Sequence, residues 1–207
     1  MKQHEQLQPT GDLMHASLDA RAAALRDMLI EQGLIDERQV EARKDLVGSA
    51  LTAANGARVV ARAWSDATFK ERLLADATAA AKELGIEGIE GHQMVAVENT
   101  ESVHNVIVCT QCSCTAWPLL GLPPDWYKSP PYRARVVREA RGLLAEIGLQ
   151  VPVAVAIRVW DTSGETRYIV LPARPAGTEE FSEAQLAALV TRESMIGVSL
   201  AKVPRPD

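Results

Sequence analysis

The chain has 207 residues, 47% of them apolar and 24% charged, which excludes wholesale disorder and a fibrous protein and suits one good core with room for an added arm. A net charge of −5 speaks against nucleic acid as a partner, because phosphate binding relies on clustered Lys and Arg. No apolar run approaches the ~20 residues that span a bilayer, and residues 1–9 are polar without a signal-peptide core, so a cytoplasmic chain with no membrane partner is expected.

Past the polar start, Leu18, Leu25, Leu29 and Leu34 recur at helical spacing and predict one long helix over 12–32, stopped by Gly33. Asp36 with Gln39 three residues later resembles a capping box for a second helix through Leu46 and Leu51, after which Asn55 and Gly56 break the chain. A third helix is expected from Asp66, with Phe69, Leu73, Leu74 and Ala77 on one face, ending near Gly85. Around Gln93 the period becomes extended, and Val103, Val106, Ile107 and Val108 lead directly into Cys109. Residues 117–131 hold five prolines and Gly121, which predicts a rigid connection and no helix.

Helical spacing returns over 132–147, with Val136, Val137, Leu143 and Leu144 inward and Arg133, Arg135, Arg138 and Arg141 outward. Residues 153–159 and 167–171 alternate and are joined across Ser163 and Gly164, which reads as a β-hairpin. Ser182 with Gln185 opens a short helix, and 195–200 reads as a final strand. The expected fold is α+β: a helical N-terminal arm, 1–88, then a mixed α/β layered domain, 89–207, that binds metal and carries catalysis, with its metal loop at a strand end.

All three cysteines fall within six residues, as Cys109, Cys112 and Cys114, so none remains to staple the fold at a distance. The C-x-x-C-x-C spacing lets three sulfurs converge on one centre. A structural zinc site normally takes four side-chain ligands, so a zinc reading must recruit His92 or His104; soft thiolates suit structural zinc and active iron or cobalt alike.

The stretch from Val108 to Thr115, followed by Trp117-Pro118, Leu120-Gly121-Leu122-Pro123-Pro124-Asp125-Trp126-Tyr127-Lys128-Ser129, the segment Tyr132 to Glu139, Glu165-Thr166-Arg167-Tyr168 and Arg174-Pro175-Ala176-Gly177-Thr178, closely resembles the alpha subunit of nitrile hydratase. The resemblance implies a lyase that hydrates a small nitrile to its amide. It implies metal ligation by the Cys109, Cys112 and Cys114 sulfurs and by the deprotonated backbone amides of Ser113 and Cys114, with Cys112 as sulfinate and Cys114 as sulfenate. Catalysis would then fall to Cys114 and Ser113, at a low-spin non-heme iron(III), with cobalt(III) as the alternative. Thr115 favours iron and Thr110 favours cobalt. The resemblance further implies a β subunit, in an αβ heterodimer or a heterotetramer, whose two arginines pair with the oxidised sulfurs.

Glu90 stands where the family often has glutamine, and it reads either as a solvated loop charge or as a general base with His92 beside it. Gln111 replaces a usual leucine between the first two cysteines. Two other functions remain open at this point: the metal subunit of thiocyanate hydrolase, on a nearly identical claw, and a non-catalytic zinc module serving in assembly.

Overall fold

The computed structural model describes residues 17–86 and 93–204. They belong to two compact units, the first ending at Leu46 and the second running from Val47. Among the described residues no helix is long and apolar enough to cross a membrane.

In the first unit, helix α1 (Leu18–Glu31) starts at Ser17, whose hydroxyl accepts from the Ala20 N–H. None of its residues is buried, and Leu18 and Leu25 are 78% and 56% exposed. The leucine spacing thus builds the helix without building a core face. Helix α2 (Glu37–Ala50) opens on the expected signal, with the Gln39 side chain accepting from the Asp36 N–H at 3.3 Å.

The second unit continues with α3 (Ala53–Ser65), α4 (Ala67–Ala75) and α5 (Ala77–Glu83). Asn55 and Gly56, expected to break the chain, lie inside α3. Asn55 donates to the carbonyls of Ala50 and Pro118, and Gly56 lets the backbone of residue 119 come so close that a Cβ would meet its oxygen at 2.3 Å. Tertiary contact overrides the local turn signal. The expected third helix is two helices, because Asp76 ends α4 and caps α5 by accepting from the Ala79 N–H.

Strand β1 (Gln93–Glu98) pairs in parallel with β4 (Thr166–Leu171), and β2 (Val103–Val108) in parallel with β3 (Ala156–Asp161). The hairpin expected from β3 and β4 is therefore not formed. A tight turn does join them, with Ser163 N–H donating to the Thr166 carbonyl at 2.9 Å, but each strand leaves it toward a different partner. Ile169, Val170 and Leu171 are almost fully buried, more than an isolated two-stranded ribbon can achieve. Helices fill the long crossover that a parallel β2–β3 pair requires.

That crossover contains α6 (Trp117–Leu120) and α7 (Asp125–Lys128), which corrects the expectation of no helix across 117–131. Pro118 sits in the first turn of α6, where its missing N–H costs nothing. Helix α8 (Pro130–Glu146) is kinked at Glu139; Val136, Leu143 and Leu144 are buried, but Val137, expected inward, is 53% exposed. Helix α9 (Glu183–Leu189) carries the Ser182/Gln185 capping box. The expected last strand is instead helix α10 (Arg192–Ile196), set by a second box, Thr191 with Ser194, and closed by left-handed Gly197.

Two glycines in helices test how close the α3–α6 approach is. Gly56→Ala should destabilise the protein by about 1–3 kcal/mol through overpacking. Gly48→Ala in α2, where an added Cβ meets nothing within 4 Å, should be neutral or stabilising by about 0.5–1 kcal/mol. Denaturant unfolding of both variants measures the contrast, and equal effects would contradict this packing.

Candidate metal centre

Strand β2 delivers the first thiol. Cys109 follows Val108 directly and is 1% exposed, while Cys112 is exposed and Cys114 half-buried. The Sγ atoms of Cys109 and Cys112 lie 3.6 Å apart and those of Cys112 and Cys114 3.2 Å apart, and all three converge within 4.8 Å. The loop is held from several sides. The Asp161 carboxylate accepts from Thr110 N–H at 2.9 Å and from its hydroxyl at 2.6 Å. Tyr127 donates its phenolic proton to the Cys114 carbonyl, Tyr132 donates to the Ile107 carbonyl, and Arg133 donates to the carbonyls of Gln111 and Cys112.

Electrostatics separate the thiols. Hydrogen bonds from the Cys114 thiol, then from the Ser113 N–H, the Cys109 thiol and the Cys114 N–H, lower the Cys112 pKa to about 7. Burial, then the Cys112 contact, pushes the Cys114 thiol up, opposed by the Arg167 guanidinium nearby. Burial also raises Tyr127 and Tyr132, so both stay protonated donors.

Arg167, singled out from the sequence only as part of a family motif, sits beside the claw. It is only 9% exposed, and its Nε and Nη1 have no partner; with Thr115, whose buried hydroxyl is also unpartnered, it lines a cavity of about 30 Å³. A period-two count along β4 would have found it, because Arg167 shares a face with Ile169 and Leu171. Asp161 carried no such signal, since only the β2–β3 register sets it opposite Val108. Trp126 packs edge-on against Tyr127 and Tyr132, as an anchor of the loop, whereas Trp117 is 42% exposed. Glu90 and His92 lie outside the described residues.

His104, the other histidine weighed as a zinc ligand, is not in the cluster. It is buried, with Nε2 at 2.8 Å from the Gly197 carbonyl and Nδ1 at 3.3 Å from the Asn99 amide nitrogen. A neutral ring that donates through Nε2 and accepts at Nδ1 satisfies both contacts. Among the described residues no His, Asp or Glu joins the three sulfurs, so the donor set lacks the fourth side chain of a closed zinc site. Three thiols, with the Ser113 and Cys114 N–H groups turned toward the middle one, fit a soft or trivalent ion that also takes backbone donors.

A strand-end loop with this donor set, on an α+β scaffold, defines a thiolate metal-binding chain. Comparison with known proteins narrows the class: the profile of "Nitrile hydratase, alpha chain" matches residues 16–199, and the chain belongs to that family. It is 50% identical over 204 residues to the low-molecular weight cobalt-containing nitrile hydratase subunit alpha of Rhodococcus rhodochrous, covering 99% of each chain. Its fold is similar, at TM-score 0.85 and 44% identity, to the H80A/H81A double mutant of the Fe-type nitrile hydratase from Comamonas testosteroni Ni1, covering 96% of this chain and 98% of that one. It is also 40% identical over 194 residues to thiocyanate hydrolase subunit gamma of Thiobacillus thioparus, covering 88% of this chain and 78% of that one.

Burial lowers the His104 pKa below 6.5, with the Gly197 carbonyl pulling the other way. A depressed folded value means that its stabilising contribution is full above 6.5 and is lost as pH falls through the folded value. The unfolding midpoint should therefore decline from about pH 7 to about pH 5, and less steeply in His104→Gln. Parallel declines in thermal scans across that range would show that another group is responsible.

Proposed function

We propose that this chain is the metal-bearing alpha subunit of a nitrile hydratase, a lyase that adds water across a nitrile to give the amide. The observation that carries the reading is the convergence of the three sulfurs within 4.8 Å at the end of β2, with no fourth side-chain donor among the described residues. Cys109, Cys112 and Cys114, with the backbone nitrogens of Ser113 and Cys114, would hold the ion, and residues 89–207 would carry the chemistry. When bound, a low-spin trivalent ion supplies Lewis acidity without redox cycling.

The residues then divide the work. Cys109, buried and next to the sheet, is the unmodified anchor. Cys112 and Cys114, as sulfinate and sulfenate, bring negative oxygens whose charge needs cationic partners. Arg167 stands beside Cys114, in keeping with that need. The Cys114 oxygen would activate the water that attacks the nitrile carbon, or would attack it directly, leave its sulfur with the product and be restored from that water, and Glu90 would take a proton from the water and return it to nitrogen. The balance is one water added, oxygen to carbon and both protons to nitrogen, with no external oxidant in the turnover. Trp117, Leu122 and Val137 are 42%, 50% and 53% exposed, which is in keeping with a β subunit that covers apolar surface of this chain in an αβ heterodimer or a larger assembly. The identity to a nitrile hydratase subunit, 50%, exceeds that to the thiocyanate hydrolase subunit, 40%, which favours nitriles as the substrate.

Iron(III) is the metal we assign, on Thr115, which follows Cys114 and is buried. Relatives of both cobalt and iron type match the chain, so elemental analysis with electron paramagnetic resonance decides. The complex with the β partner should hold one metal per chain and give a low-spin iron(III) resonance, and each of Cys109→Ser, Cys112→Ser and Cys114→Ser should lose the metal and the amide product. A resonance-silent cobalt enzyme would overturn iron, and a fully active serine variant would overturn the site.

Glu90→Gln should change the rate of amide formation and its pH profile while metal content stays constant, because a proton acceptor is altered and no ligand is. Superimposable pH–rate profiles would make Glu90 a solvated loop charge.

A further inference from the structure

Arg133 stands in the first turns of α8, beside a cleft of about 430 Å³ that it lines with Thr110, Pro130, Ala134, Val137 and Arg138. Its neighbour Arg135 is paired with Glu139 and Glu146, as expected of a surface arginine. Among the described residues Arg133 has no carboxylate partner. Its Nη1 instead bridges two consecutive carbonyls of the cysteine loop, Gln111 at 3.0 Å and Cys112 at 3.4 Å.

Peptide planarity gives this contact its meaning. Among the described residues no peptide bond is cis, and in a trans unit the carbonyl of one residue and the N–H of the next point in opposite directions. Drawing the Gln111 and Cys112 oxygens toward α8 therefore turns the N–H groups of Cys112 and Ser113 toward the sulfurs. The first is found there, with Cys112 N–H donating to Cys109 Sγ at 3.3 Å, and the Ser113 N–H lies near enough to the Cys112 sulfur to favour its thiolate. Tyr127 makes the matching contact at the Cys114 carbonyl, but that contact orients the peptide of Thr115, which is no candidate ligand. Among the described residues, of the hydrogen bonds that reach the loop from outside it, the Arg133 contact acts on the peptide unit that contains the Ser113 nitrogen.

We propose that Arg133 is a positioning residue of the metal centre, holding the 111–112 and 112–113 peptide planes so that the Ser113 nitrogen faces the ion before the ion arrives. The inference rests on the metal-centre reading above. Both contacts come from Nη1, whose two N–H bonds lie at a fixed angle in the guanidinium plane and serve one carbonyl each, whereas a lysine ammonium rotates freely about its bond and reaches the same oxygens without fixing their mutual angle.

The test compares wild type, Arg133→Lys and Arg133→Met, each as the complex with its β partner. Three quantities are read: metal content, the rate at which the visible sulfur-to-metal absorption fades in excess chelator, and the thermal midpoint of the metal-free complex. Arg133→Met should release metal about 10–100-fold faster, the range for loss of a group that orients a ligand, with a shifted absorption band and an unchanged metal-free midpoint. Arg133→Lys should fall between the two. A release rate and band in Arg133→Met identical to wild type overturn the proposal. So does a loss of metal-free stability in Arg133→Met large enough to account for the faster release. A wild-type complex with no metal and no visible band overturns the metal-centre reading itself, which separates the two failures.

Discussion

Parallel pairing of β2 with β3 brings chain segments far apart in sequence to the same end of one ribbon, with Val108 and Asp161 opposite each other. Everything at the metal centre descends from that register. It fixes the point at which Cys109 leaves the sheet, and it sets a carboxylate where it catches both the amide and the hydroxyl of Thr110. The Thr162 N–H continues the ladder by donating to the Val108 carbonyl at 2.7 Å. A slip of one residue would turn Asp161 to the opposite face of the ribbon and leave the loop without its anchor.

The beginning of β2, at the other end from the loop, is tied down by a buried polar network. Asn99 accepts from the backbone and side-chain amides of Asn105, Trp160 donates to Asn105, and His104 reaches Gly197. Gly197 has to be glycine twice over: its φ is +90°, and a Cβ there would stand 2.0 Å from the Asn105 oxygen. Buried and hydrogen-bonded, these groups give β2 a single setting, because shifting it would strand polar atoms away from water.

Local chemistry was legible in the sequence and long-range pairing was not. Cys109, Cys112 and Cys114 lie within one loop, so their spacing alone was enough to foresee that the sulfurs converge. The Ser182/Gln185 box was equally local and formed as read. Where a partner from elsewhere decided the outcome, local signals misled: Asn55 and Gly56 serve a helix contact and do not make a turn, and β3 and β4 part company after a good turn. The segment of α10, opened by the Thr191/Ser194 box, was read as a strand on its apolar run. Arg133 lay on a helix face read as outward, and only the fold turns it onto loop carbonyls, whereas the alternation of β4 marked Arg167 as buried but could not tell that Cys114 lies beside it.

Every candidate ligand of the ion comes from one stretch of six residues, Cys109 to Cys114, and no distant strand or helix among the described residues contributes another. An ion held in this way closes a very short loop and ties no remote parts of the chain together, so the loop-closure argument credits it with little of the fold's stability. This is the reverse of a zinc finger, where the metal is the core. Here the scaffold, with its own packed interior and its own hydrogen bonds to the loop, stands complete before loading. Capture and exchange of the ion thereby become events in the life of a finished protein, open to control by whatever supplies the metal and independent of the folding of the chain.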